Sequence, residues 1–132
     1  MSDSVLRRPI TFERLCHRDG TVSVPVTMVW SSDDPLAVEL RLKEGLSVAV
    51  WFVARDLLAD GLIMAAGVGD VRVKPYERDP DWMLLTLDSP DGRADLLVPV
   101  DALGVFLADT FDEVPLGAEM IPDEAFLELL IS

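Results

Sequence analysis

Residues 36–53 read Leu-Ala-Val-Glu-Leu-Arg-Leu-Lys-Glu-Gly-Leu-Ser-Val-Ala-Val-Trp-Phe-Val. Leu36, Val38, Leu40 and Leu42 alternate with Glu39, Arg41 and Lys43, the period-two pattern of a strand with one buried face. Glu44-Gly45 interrupts the alternation and it then resumes. This segment therefore predicts an antiparallel hairpin, and a hairpin-built sheet is the premise for the rest of the chain. The second strand, Leu46–Val53, differs from the first. Leu46, Val48, Val50 and Phe52 share one face and Ser47, Ala49, Trp51 and Val53 the other, so both faces are largely apolar and both are expected to be covered.

Upstream, Val22, Val24, Val26, Met28 and Trp30 alternate with Thr21, Ser23 and Thr27, predicting a strand over Thr21–Trp30. Pro25 lacks an N–H, which places that strand at an edge or gives it a bulge. Ser31-Ser32-Asp33-Asp34-Pro35 is a turn by composition. Downstream, Ala54–Leu62 changes to helical spacing, with Leu57, Leu58 and Leu62 on one side, Arg55, Asp56 and Asp60 on the other, and Gly61 at the expected C-cap. Gly67-Val68-Gly69 turns into a strand over Asp70–Lys74. Trp82–Leu87 and Ala94–Val98 form a second predicted hairpin about Ser89-Pro90-Asp91-Gly92. Two helices close the chain. Asp101 would cap the first, which carries Leu103, Phe106, Leu107 and Thr110; the last begins near Pro122. The expected fold class is α+β: a bent antiparallel β-sheet or barrel of about seven strands, with one short central helix and two C-terminal helices.

The 132 residues suit a single domain over 1–132, large enough to bury a core without disulfide or metal staples. There are 24 acidic residues against 11 Lys and Arg, a formal net charge of -13. No cation follows Arg93, while residues 94–132 hold nine carboxylates. Such a surface repels nucleic acid and anionic membranes, and a protein partner is expected instead. Mean hydropathy is +0.30, high for a soluble chain, which points to apolar surface covered by a partner or by further copies of the chain. Cys16 is alone, so no internal disulfide forms. There is no signal-like apolar run at the N-terminus, and the densest apolar stretch, Leu46–Leu58, is too short for membrane insertion. A cytoplasmic location is expected.

Groups that carry chemistry are sparse. His17 is the single histidine, near Cys16 and Asp19, and these three fall short of a zinc site. Gly67-x-Gly69 follows a predicted helix and precedes a strand, the reverse of a phosphate-binding loop. Asp33-Asp34, Asp112-Glu113 and Asp123-Glu124 are the pairs that an acid-rich chain produces without a cleft. No calcium-loop spacing occurs. The chain is therefore expected to be no enzyme, with no cofactor and no metal site.

Particular segments then point to a family. Asp34-Pro35-Leu36-Ala37-Val38, Trp51-Phe52-Val53-Ala54-Arg55-Asp56-Leu57-Leu58-Ala59-Asp60-Gly61-Leu62 and Gly67-Val68-Gly69-Asp70-Val71-Arg72-Val73-Lys74-Pro75 resemble the SsgA-like proteins. These are sporulation and cell-division regulators of actinobacteria, with SsgB as the widespread member. Leu87-Asp88-Ser89-Pro90-Asp91-Gly92 and Val114-Pro115-x-Gly117-x-Glu119 are similar to the same family. The resemblance implies a non-enzymatic adaptor that recruits or stabilises the tubulin-like protein FtsZ at septum sites. It also implies a whirly-like fold, a homotrimer, and contact with FtsZ or another SsgA-like protein. The fold likeness carries an alternative, a whirly-like single-stranded nucleic-acid-binding protein, against which the acid excess argues.

Arg55, Asp56, Asp70 and Arg72 are the candidate partner-binding residues, because a merely solvated face does not call for those types. They form either a docking patch or an intrachain Arg–Asp arrangement that orients helix against strand.

Overall fold

In the central hairpin Val38, Leu40 and Leu42 are buried while Arg41 and Lys43 are exposed, so the alternation faces as its pattern requires. The computed structural model describes residues 4–17 and 20–115. Seven strands are present: β1 (Val5–Cys16), β2 (Gly20–Ser31), β3 (Asp34–Glu44), β4 (Ser47–Ala54), β5 (Val71–Pro75), β6 (Trp82–Ser89) and β7 (Gly92–Pro99). Two helices accompany them, α1 (Arg55–Gly61) between β4 and β5, and α2 (Val100–Glu113) after β7.

The strands form one sheet in the order β4-β3-β2-β1-β7-β6-β5, with every neighbouring pair antiparallel. The sheet curls into a half-barrel. Its concave face holds Ile10, Phe12, Val24, Val26, Met28, Trp30, Val38, Leu40 and Leu42 from β1–β3, and Val73, Met83, Leu85, Leu87, Leu96 and Val98 from β5–β7. Leu58 of α1 and Leu103, Phe106 and Leu107 of α2 complete this core. Pairing of Glu44 with Ser47 leaves Gly45 at φ +61° in the β3–β4 turn, a conformation that glycine adopts without a steric penalty.

Four expectations are corrected. Residues 5–16, to which the sequence pattern assigns no element, are a full strand, and β1 is the centre of the sheet, joining β2 to β7. Its pattern is weak because Arg8 and Arg14 alternate with Leu6, Ile10 and Phe12 on one face, and Pro9 interrupts it. The Pro25 strand is interior, flanked by β1 and β3. Its pairing with β3 begins only at Val26, so no ladder bond on that side calls for a Pro25 N–H, and the register shift lies at Val29/Ser31 instead.

Gly61 does not cap α1 but ends it, Leu62 being the cap in right-handed conformation. A Cβ on Gly61 would lie 2.6 Å from Val73 Cβ and 2.8 Å from Met83 Sδ, so glycine here permits the helix to approach the sheet. Asp101 stands in the first turn of α2, whose N-cap is Pro99, and its charge complements the helix dipole rather than bonding to the cap. The helix expected near Pro122 lies outside the described residues.

Candidate functional site

The junction of β4 and α1 carries the first of the four candidate residues. Ala54 leaves β4 in extended conformation, and Arg55 begins α1 with its side chain turned into the protein, where it is 1% exposed. One guanidinium nitrogen, Nη1, donates to the Thr110 carbonyl oxygen at 3.1 Å. That carbonyl belongs to the last turn of α2, where helix C-terminal carbonyls favour a cation. The guanidinium also lies 4.1 Å from the centre of the Phe111 ring and 5.6 Å from that of Trp30. A buried cation is tolerable only with such hydrogen-bonded and aromatic surroundings.

Trp30 is itself held, its indole Nε1 donating to the Pro35 carbonyl at 3.0 Å. Thr110, fully buried, turns its hydroxyl to the Leu107 carbonyl at 2.7 Å. Arg55 thus binds α1, α2 and β2 together from within.

Asp56 is half-buried in the first turn of α1, where a carboxylate complements the helix dipole. With Ala59, Asp60, Ile63, Phe111 and Pro115 it lines a cavity of about 520 Å³.

Asp70 and Arg72 are placed elsewhere, at the start of β5. Gly69, at φ +85°, turns the chain into the strand, and the Asp70 carbonyl accepts a hydrogen bond from the Asp88 N–H at 2.8 Å. Arg72 Nη2 donates to Asp88 Oδ2 at 2.8 Å, so its carboxylate partner is Asp88 rather than Asp70. Both residues of that pair are substantially exposed. Beside it, Lys74, Arg93, Thr86 and the 65–67 loop line a cleft of about 330 Å³. Thr86 donates to Asp95 at 2.8 Å, and Arg93 pairs with the same carboxylate at 3.3 Å. The four candidate residues therefore do not share one patch. Arg55 belongs to the interior, Asp56 to a cavity wall, Asp70 to the turn before β5, and Arg72 to the surface of β5.

A surface that the candidate set missed lies on the convex side of β3 and β4. Leu46 is fully exposed, and Val48, Val50 and Phe52 are 58%, 48% and 66% exposed, so the second apolar face of β4 is bare rather than covered. The reason is topological: β4 is the end strand of the sheet, and both helices pack on the concave side. Lys43 stands opposite Val48 and Arg41 opposite Val50. The signal was present in the doubly apolar run of Leu46–Val53, but a repeat pattern says only that a face is apolar, not what lies against it.

Among the described residues no group of three or more His, Cys, Asp or Glu side chains is arranged to hold a metal. Among them no helix is long and apolar enough to cross a membrane.

The family model for the Streptomyces sporulation and cell division protein, SsgA, matches residues 24–119. A sporulation-specific cell division protein SsgB from Saccharopolyspora erythraea is 39% identical over 129 residues, spanning 95% of this chain and 92% of its own length. The SsgB of Streptomyces coelicolor is 39% identical over 103 residues, 76% of this chain and 75% of that protein.

Solved structures agree. One, from work on SsgB and longitudinal cell division during sporulation of Streptomyces coelicolor, superposes with a TM-score of 0.84 at 32% identity, covering 89% of this chain and 94% of that one. Another, an SsgA-like sporulation-specific cell division protein from Thermobifida fusca, gives 0.83 at 28% identity, covering 99% and 96%.

Proposed function

Because the chain belongs to the SsgA family of sporulation and cell division proteins, we propose that it acts in sporulation septation as a non-enzymatic adaptor that recruits or stabilises FtsZ at septum sites. The observation that carries this reading is the name sporulation-specific cell division protein, borne by relatives that align with nearly the whole chain.

Two features of the molecule support an adaptor. Its buried charged chemistry is spent internally: Arg55 engages Thr110, Phe111 and Trp30. The surface meanwhile keeps a bare apolar strand face beside two cations, in a chain of net charge -13. Contiguous apolar surface of that kind marks contact with another polypeptide. In this reading the protein works at the septum as a homotrimer and contacts FtsZ, another SsgA-like protein, or both, with exposed Asp70 and Arg72 available to the partner.

The test is co-sedimentation. Purified chain mixed with polymerised FtsZ is expected in the pellet in a saturable amount, and in the supernatant when FtsZ is kept unpolymerised. Failure to pellet at any FtsZ concentration overturns the FtsZ assignment. Steep, salt-sensitive retention of single-stranded oligonucleotides in place of pelleting would favour nucleic-acid binding instead.

A further inference from the structure

We propose that the cleft on the outer face of β5–β7 is an anion site that takes one phosphate group, as the free ion or as a small phosphomonoester. Among the described residues its charged lining is Arg72, Lys74 and Arg93, all cations, in a chain with 24 acids against 11 Lys and Arg. Composition alone would line a cleft the other way.

Strand register brings the three together. Arg72 of β5 stands opposite Thr86 of β6, and Thr86 opposite Asp95 of β7, while Lys74 faces Leu84 and Arg93 faces Asp88. Alternation sets these residues on the face away from the core side chains Met83, Leu85, Leu87 and Leu96. Arg72 and Lys74 therefore approach from one side of β6 and Arg93 from the other, across two strand spacings, roughly 10 Å.

The site is also held in shape. Arg72 Nη2 donates to Asp88 at 2.8 Å and Arg93 Nε to Asp95 at 3.3 Å, and the buried Thr86 hydroxyl donates to the same Asp95 oxygen. Neither carboxylate lines the cleft. A guanidinium carries five N–H donors, and each of these ion pairs engages one nitrogen, so both arginines are oriented without being used up. Lys74 is held more loosely, 3.8 Å from the exposed Glu77. The facing wall is fixed by two backbone hydrogen bonds of 2.9 Å between Ala66 and Val73. Gly67 follows at φ +94°, so close to β5 that a Cβ there would lie 2.4 Å from the Val71 carbonyl oxygen. Donors already in position lose little freedom when a ligand arrives.

This arrangement selects the ligand. A planar carboxylate is satisfied by one guanidinium fork, whereas a phosphate offers oxygens to cations on several sides at once. A net charge of -13 repels a polyanion along its length, which disfavours a nucleic-acid strand but not a single anion whose charge sits within the cleft. At about 330 Å³ the cleft falls at the small end of small-molecule sites, and Ala65, Ala66 and Leu84 offer an apolar wall to an organic body.

Isothermal titration calorimetry on the full chain at fixed ionic strength tests this, with inorganic phosphate and phenyl phosphate as probes. The wild type is expected to show one saturable site per chain, with a Kd of about 1 mM or below. Arg72→Gln and Arg93→Gln should each weaken binding about tenfold. Both ion pairs are exposed, so these variants should stay folded, as far-UV circular dichroism would verify. Lys43→Gln removes an exposed cation from β3, outside the cleft, and should leave the affinity within about twofold of wild type. Tighter binding of phenyl phosphate than of inorganic phosphate assigns the site to a phosphomonoester; equal or weaker binding assigns it to the free ion. The proposal is overturned if neither probe binds saturably up to about 10 mM, or if the folded arginine variants bind as the wild type does. An equal loss in Lys43→Gln also overturns it, since bulk charge rather than the cleft would then govern binding.

Discussion

Arg55 and Phe111 are stacked inside the protein, the guanidinium 4.1 Å from the ring centre, although they are 56 positions apart in a chain whose surface is strongly acidic. The contact joins the first residue of α1 to the last turn of α2, and the same guanidinium donates to the Thr110 carbonyl.

Arg55→Ala removes a buried hydrogen bond to a helix-end carbonyl together with the aromatic contacts, and leaves a cavity. The expected loss is about 3 kcal/mol, read as a lower urea midpoint at unchanged slope. Arg55→Lys should recover only part of it, because an ammonium lacks the planar face that lies on Phe111. Stability within about 0.5 kcal/mol of wild type for Arg55→Ala would count against an interior role.

Gly61→Ala has an informative sign. In an ordinary helix the change stabilises by up to about 1 kcal/mol. Here the new methyl meets Val73 and Met83 closer than side chains can approach, so the variant should instead lose about 1–3 kcal/mol in thermal or urea unfolding.

Arg72→Ala breaks a well-formed but exposed pair with Asp88, at side-chain exposures of 45% and 36%. Exposed ion pairs contribute less than about 1 kcal/mol, so the melting temperature should move by only a few degrees. A double-mutant cycle with Asp88→Ala should return a coupling in the same small range. Partner capture that falls while stability holds would assign Arg72 to an interface, one of the two roles its sequence context leaves open.

Trp30→Phe retains an aromatic ring beside Arg55 but removes the indole donor to the Pro35 carbonyl. A cost of about 1–2 kcal/mol is expected, from the lost hydrogen bond and the smaller ring. The fluorescence of Trp30, buried in the wild type, should disappear while that of Trp51 and Trp82 remains.

The strand alternations of residues 21–53, the 82–98 hairpin, and the apolar stripe of α2 were legible because each is a local repeat with a buried face. Val38, Leu40, Leu42, Leu103, Phe106 and Leu107 are buried as their spacing requires. β1 was illegible because Arg8, Pro9 and Arg14 dilute its alternation, yet it holds the middle of the sheet by pairing on both sides. The candidate site was only half legible. Arg55 and Arg72 are each held by specific partners, but the spacing of charges along the chain carried no information on which partner each would meet.

From sequence alone came the antiparallel α+β character, the acid excess, the lack of a recognisable catalytic set, and the family resemblance. All of these depend on composition or on neighbours a few residues apart. Folding alone decided that Arg55 lies inside against Thr110 and Phe111, that Arg72 meets Asp88, and that the second face of β4 is left bare. Burial and pairing depend on residues distant in the chain, and the fate of an apolar strand face depends on whether any element crosses it.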